Sequence, residues 1–105
     1  MKPMIREWLK QQFGEDEALF AELYSQYRSD MTAGLVELSA LAKGTDPLAL
    51  RQKAHGLKGI ALLIGDKETA DVCLALQQLG DSGSLAGADP LMARLTTLVT
   101  SLDPQ

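Results

Sequence analysis

The chain has 105 residues, of which 46% are hydrophobic and 23% charged, so it is long enough for one domain with a buried core and too short for two. Its net charge of −4 argues against nucleic acid and anionic membrane surfaces as partners, because both attract concentrated Lys and Arg. The single cysteine excludes an internal disulfide, and the N-terminus, interrupted by charges, resembles no signal peptide; together they predict a cytoplasmic protein.

Glycine and proline divide the sequence into five predicted helices, within which apolar residues recur every three or four positions. The predicted helices cover residues 3–13, 16–43, 47–64, 67–79 and 90–102. The pairs Asp46-Pro47 and Asp89-Pro90 are typical of helix starts, with Asp as the N-cap and Pro at the first helical position. Gly80 is predicted to end the fourth helix, which leaves residues 81–88 as a flexible loop.

These elements predict an all-α fold, an antiparallel (up-and-down) four-helix bundle with a short extra N-terminal helix. Residues 1–105 would form a single helical domain, and we expect it to be a monomer. The long second helix would supply much of the core through its apolar stripe: Phe20, Leu23, Tyr24, Tyr27, Met31, Leu35, Leu38 and Leu41. The first helix would pack across one end of the bundle with Trp8 as its anchor.

The third predicted helix carries the only histidine of the chain. On a helical wheel its core face contains Leu50, Ala54, Leu57, Ala61 and Ile64. His55 lies roughly opposite Leu57, and its neighbours on the outer face are Arg51, Lys58, Gly59 and Leu62. We therefore predict that His55 is in mid-helix with an exposed ring, and that Leu57 is buried.

The residues around His55 suit an imidazole that carries a phosphoryl group. A glycine inside a helix costs about 1 kcal/mol relative to alanine, and Gly59, one turn after His55, would keep the space beside the ring open. Lys58 could pair with the roughly two negative charges of a phosphoryl group. Leu62 would give the rim an apolar docking surface, and Arg51 is a second candidate for partner docking.

The segment HGLKG at residues 55–59, followed by Gly65 ten positions after His55, resembles the signature of histidine-containing phosphotransfer (Hpt) domains. The resemblance extends from about residue 16 to residue 80. It implies that His55 accepts a phosphoryl group from an aspartate of a receiver domain and passes it to another. It also implies that Lys58 steadies the phosphoryl group and that Gly59 leaves room for it.

The same resemblance places a polar partner of the imidazole at Gln77, where many members of the family have Glu. An amide oxygen can still accept a hydrogen bond from the ring. Asp66 stands where a small apolar residue is more usual in the family, and we interpret it as the N-cap of the fourth helix. The implied partners are response-regulator receiver domains, a hybrid sensor histidine kinase, or both. No cofactor is expected in this chain, and Mg²⁺ is expected only in the partner receiver domain.

Other interpretations of these residues stay open. His55 and Lys58 could be plain surface residues, as could Arg51 and Gln77. The chain could then be a helical adaptor without chemistry, or an enzyme that uses His55 as a general base, although helix three offers no orienting carboxylate beside it. One His and one Cys cannot form a zinc site, so no metal is predicted, and Cys73 is expected in the core.

Overall fold

The computed structural model describes residues 1–104, and this part of the chain is all-helical. Helix α1 spans Pro3–Phe13, α2 Glu17–Ala42, α3 Pro47–Leu63, α4 Lys67–Asp81 and α5 Ala88–Thr100. In the bundle each of α2 to α5 packs against the next, and α5 returns to pack against α2. With short connections between neighbours, this is the predicted antiparallel four-helix bundle, and the fold class is confirmed.

Aspartate residues begin three of the helices. The carboxylate of Asp16 accepts a hydrogen bond from the Leu19 N–H at 3.0 Å, and that of Asp46 accepts one from the Ala49 N–H at 3.1 Å. Asp66 caps α4 in the same way. An N-cap of this kind stabilises a helix by about 0.5–2 kcal/mol relative to alanine. The predicted caps at Asp46 and Asp66 are therefore confirmed.

The predicted helix boundaries on both sides of the α4–α5 connection were wrong, and α5 ends at Thr100 instead of residue 102. Helix α4 continues through Gly80 and ends at Asp81, because this glycine serves close packing against α3 instead of ending the helix. Helix α5 begins at Ala88 after the left-handed Gly87 (φ 89°), so Asp89 lies inside the helix and is not its N-cap. The connecting loop is therefore confined to residues 82–87.

The core is formed by the inward stripes of all five helices. Its fully buried side chains include Ile5, Leu9, Phe20, Tyr24, Met31, Leu38, Leu50, Cys73, Leu76 and Leu95. Three members of the predicted α2 stripe, Leu23, Leu35 and Leu41, are only partly buried and pack against this core. Burial raises the pKa of the Cys73 thiol to about 12, so the cysteine is a neutral apolar residue of the core, as predicted.

Helix α1 covers one end of the bundle, but its anchor differs from the prediction. Ile5 and Leu9 are the buried side chains of this helix, whereas Trp8 is partly exposed. The indole Nε1 of Trp8 donates a hydrogen bond to the Leu63 carbonyl oxygen at 3.1 Å. A Cβ on Gly65, whose φ is 78°, would overlap the Trp8 side chain. Trp8 therefore holds α1 on the α3–α4 turn, while Ile5 and Leu9 enter the core.

A buried polar cluster around Asp66 joins the N-cap residue of α1 to α2 and α4. Its carboxylate accepts hydrogen bonds at 2.7 Å from Lys2 Nζ, Tyr27 Oη and Thr69 Oγ1. Burial by itself would raise the pKa of Asp66, but the hydrogen bonds from Lys2, Tyr27 and Thr69 outweigh it and hold the pKa below its ordinary value. Asp66 is thus a charged acceptor inside the fold as well as a helix cap.

Candidate functional site

The site lies on α3, where it packs alongside α4. His55 is in the middle of α3 with its side chain exposed, and Leu57 on the opposite face is buried. Both features were predicted from the helical period. Since the inward face of α3 is held by the core, the outward direction of the imidazole is fixed by the packing of the bundle.

The imidazole of His55 is oriented by Gln77 of α4. Ring atom Nδ1 lies 3.1 Å from the side-chain oxygen Oε1 of Gln77. An amide oxygen only accepts hydrogen bonds, so this contact requires the ring proton on Nδ1. In the neutral ring, Nε2 is then the unprotonated nitrogen, and its lone pair is available as a nucleophile. The contact that the family resemblance implied for Gln77 is present in the structure.

Gly59 borders open space beside the imidazole. A Cβ at this position would meet no atom within 4 Å, so nothing in the fold itself requires a glycine here. Side chains in a helix lean towards its N-terminus, and a side chain at position 59 would therefore lean towards His55, one turn earlier. The absence of that side chain leaves the approach to the ring clear.

Two cations flank His55, and they differ in what they contact. Lys58 is half-buried, and within residues 1–104 it forms no ion pair. Arg51 instead pairs with Asp81 at the end of α4, with 2.5 Å between Nε and Oδ1. Lys58 therefore has its charge free for an incoming anion, while the charge of Arg51 is already opposed by a carboxylate.

Exposed leucines lie around the histidine. Leu62 is exposed seven residues after His55, and Leu48 is exposed seven residues before it. Both lie on the His55 face, since seven residues make almost two turns. Leu63, 79% exposed, adds to the apolar surface at the end of α3. Leu48 and Leu63 were not among the predicted site residues, although the seven-residue spacing from His55 could have identified Leu48.

Metal-holding clusters and membrane-spanning helices are both absent from the described part of the chain. No cluster of three or more His, Cys, Asp or Glu side chains is placed there to hold a metal ion. None of the helices in residues 1–104 has both the length and the apolar character that crossing a bilayer demands. The site thus consists of one oriented imidazole, a free cation and an open apolar surface.

Comparison with known families matched residues 22–105 to the Hpt domain. The chain belongs to the Hpt domain family. Domains of this family carry phosphoryl groups on a histidine in phosphorelays, interact with receiver domains and kinases, and have no catalytic activity of their own. The match begins inside α2, so α1 lies outside it. Comparisons with curated proteins and with solved structures gave no match.

Proposed function

We propose that this Hpt domain is a phosphocarrier of a multistep phosphorelay, in which His55 accepts a phosphoryl group from a receiver-domain aspartate and passes it to another. The observation that carries the proposal is the Nδ1 contact of His55 with Gln77, on an exposed ring beside Gly59. This arrangement directs one lone pair, that of Nε2, towards a partner protein. Family membership supports the general reaction.

In the proposed step, the Nε2 lone pair attacks the phosphorus of an aspartyl phosphate. The N–P bond forms as the P–O bond to the aspartyl carboxylate breaks, and the carboxylate oxygen keeps the bonding electrons. Nδ1 keeps its proton, so the phosphorylated ring is an imidazolium facing Gln77 Oε1. Passing the group to a second aspartate reverses each of these changes. No proton has to leave the ring in either direction.

Lys58, Gly59 and Gln77 have supporting roles in this proposal. Lys58 neutralises part of the phosphoryl charge, and Gly59 gives the phosphoryl group and the partner room beside the ring. Gln77 keeps the correct tautomer but, unlike a glutamate, adds no negative charge opposite the imidazolium. Phosphoryl transfer depends mainly on positioning and charge neutralisation, and one His with one Lys supplies only part of these. The partner receiver domain would therefore contribute Mg²⁺, and this chain would need no cofactor or metal.

The partners in this proposal are response-regulator receiver domains, a hybrid sensor histidine kinase, or both. They would dock on the exposed leucines around His55, with Leu62 and Leu48 on either side of the ring. A few apolar side chains at the centre of an interface commonly provide most of its binding energy. We propose that the chain acts as a monomer in the cytoplasm, where a lone thiol such as Cys73 remains reduced.

The test is incubation with receiver domains phosphorylated by acetyl phosphate, followed by mapping of acid-labile phosphate on the chain. The expected result is one phosphoryl group on His55, lost in His55→Gln. Stable complexes with receiver domains but no phosphate on His55 would favour the adaptor function. The exposed Leu48, Leu62 and Leu63 give that alternative its support, because such a surface binds partners with or without chemistry.

A further inference from the structure

Two contacts between α3 and α4 lie one helical turn apart. His55 contacts Gln77, and four residues earlier on α3, Arg51 contacts Asp81, four residues later on α4. Four residues correspond to about 6 Å along a helix axis. The side chains of Arg51 and His55 therefore lie about one helical turn apart on the same side of α3.

The negative charge of the Asp81 carboxylate is electrostatically unfavourable at its position in α4. It is the last residue of α4, and a negative charge at a helix C-terminus opposes the helix dipole. Close packing brings Arg51 to it: a Cβ on Gly80 would lie 2.6 Å from the Pro47 carbonyl oxygen and 2.7 Å from Arg51 Cβ. Arg51 thus neutralises part of the negative charge of Asp81 at the end of α4.

The Arg51–Asp81 ion pair is easily exchanged. The two side chains are 38% and 48% exposed, and ion pairs at such positions contribute little to stability. Only Nε of Arg51 donates to Asp81, and within residues 1–104 the other guanidinium nitrogens make no hydrogen bond. The outer edge of the guanidinium is therefore free to bind a second anion, and Arg binds phosphate with two parallel hydrogen bonds.

We propose that Arg51 exchanges Asp81 for the phosphoryl group on His55, so that phosphorylation loosens the last turn of α4 and the loop 82–87. The inference rests on the proposed phosphocarrier function. The phosphoryl group brings about two negative charges next to a guanidinium that faces a single carboxylate. Asp81, once released, is hydrated because it is already half-exposed. The end of α4 then carries an uncompensated charge, and a partner can distinguish the phosphorylated from the unphosphorylated domain there.

In the experiment, the full chain is phosphorylated with phosphoramidate, a small phosphodonor that needs no partner protein. Two signals are recorded before and after phosphorylation. The first is the NMR resonance of the Arg51 Nε–H, assigned with Arg51→Lys. The second is amide hydrogen exchange at residues 79–87. Phosphorylation should shift the Arg51 resonance and raise exchange at the end of α4 by roughly two- to fivefold, the size expected for losing one exposed ion pair.

Variants distinguish the proposed change of partner at Arg51 from a general effect of phosphorylation. Asp81→Asn frees Arg51 in advance and should lengthen the lifetime of the phosphohistidine. Because it also removes the charge at the end of α4, phosphorylation of this variant should no longer raise amide hydrogen exchange at residues 79–87. Arg51→Gln should shorten that lifetime. The matched control is Lys53→Gln, which breaks the Lys53–Glu37 ion pair (2.8 Å) between α3 and α2 and should alter neither signal.

Each outcome has a definite meaning. If His55 is phosphorylated but the Arg51 resonance and the exchange at residues 79–87 stay unchanged, the inference is wrong while the proposed function stands. If Asp81→Asn and Lys53→Gln change the phosphohistidine lifetime equally, Arg51 does not contact the phosphoryl group, and the inference is again overturned. If phosphate appears on the chain but not on His55, the proposed function fails and the inference fails with it.

Discussion

The His55 ring and the Gln77 amide meet across the α3–α4 interface, with Nδ1 3.1 Å from Oε1. This single contact decides which ring nitrogen can act as the nucleophile. The two residues are 22 positions apart in sequence, so their contact depends on how α4 packs against α3.

Replacing Gln77 tests the orientation of the ring. In Gln77→Ala the imidazole loses its acceptor and is free to carry its proton on either nitrogen. Transfer from a phosphorylated receiver domain should slow by roughly five- to tenfold, the equivalent of one neutral hydrogen bond. Gln77→Glu keeps an acceptor and should preserve the rate. Stopped-flow or quenched-flow transfer assays measure both variants, and equal rates in Gln77→Ala and the unmodified chain would contradict the role of Gln77.

Replacing Gly59 tests the clearance beside the ring. A side chain at this position meets open space, so Gly59→Val should leave the fold intact and change stability by less than about 1 kcal/mol. The rate of phosphoryl transfer should nevertheless fall, and the rate of Gly59→Ala should lie between those of Gly59→Val and the unmodified chain. Thermal unfolding measures the change in stability, and the transfer assay, run on the same samples, measures the change in transfer rate.

Gly34→Ala is the contrasting variant for Gly59. A Cβ on Gly34 would lie 2.5 Å from Leu57 Cδ2, so this substitution should destabilise the bundle instead of blocking the site. Overpacking of this kind typically costs about 1–3 kcal/mol. If Gly59→Val transfers phosphate at the normal rate, the clearance argument is wrong.

The charge of Asp66 makes a pH-dependent contribution to stability. Because the pKa of Asp66 is lower in the fold than its ordinary value of 3.8, the unfolded chain binds more protons at this site between the two pKa values. The stabilisation is therefore present above pH 3.8 and is lost as the pH falls through the folded pKa. Urea unfolding of Asp66→Asn should show about 1–3 kcal/mol less stability at pH 7, and the difference from the unmodified chain should shrink in acid. A difference that stays constant with pH would contradict the charged state of Asp66.

Some features could be predicted from the sequence because the helical period determines them locally. Capping residues gave the starts of α3 and α4, and the wheel placed His55 outside and Leu57 inside. Contacts between helices could not be predicted in this way. The Arg51–Asp81 pair depends on the close packing at Gly80, which in the sequence resembled a helix end.

The Asp66 cluster was missed for the same reason. Capping chemistry explained Asp66 locally, but the donors Lys2 and Tyr27 come from two distant parts of the sequence, and no local pattern connects them to position 66. The position of Trp8 also depended on tertiary packing, since the sequence did not show that the α3–α4 turn would receive its indole.

Lys58→Ala should reduce transfer without abolishing it. The substitution removes a charge-assisted contact with the phosphoryl group worth on the order of 1–3 kcal/mol, and less where water screens it. The phosphohistidine should form more slowly or hydrolyse sooner, as measured by acid-labile phosphate over time. Lys43→Ala, at the C-cap of α2 and twelve residues before His55, is the control and should behave normally. Equal behaviour of the two lysine variants would show that Lys58 is ordinary surface.

The most direct test of the account is the amount of acid-labile phosphate that His55→Gln accepts from a phosphorylated receiver domain. Glutamine keeps a polar side chain of similar size but lacks the nucleophilic ring nitrogen, and an exposed side chain contributes little to stability. The variant should therefore retain the helicity and thermal stability of the unmodified chain and accept no phosphate, while the unmodified chain accepts one phosphoryl group. Phosphate on a correctly folded His55→Gln would mean that another residue is the acceptor, and would contradict the phosphocarrier role of His55.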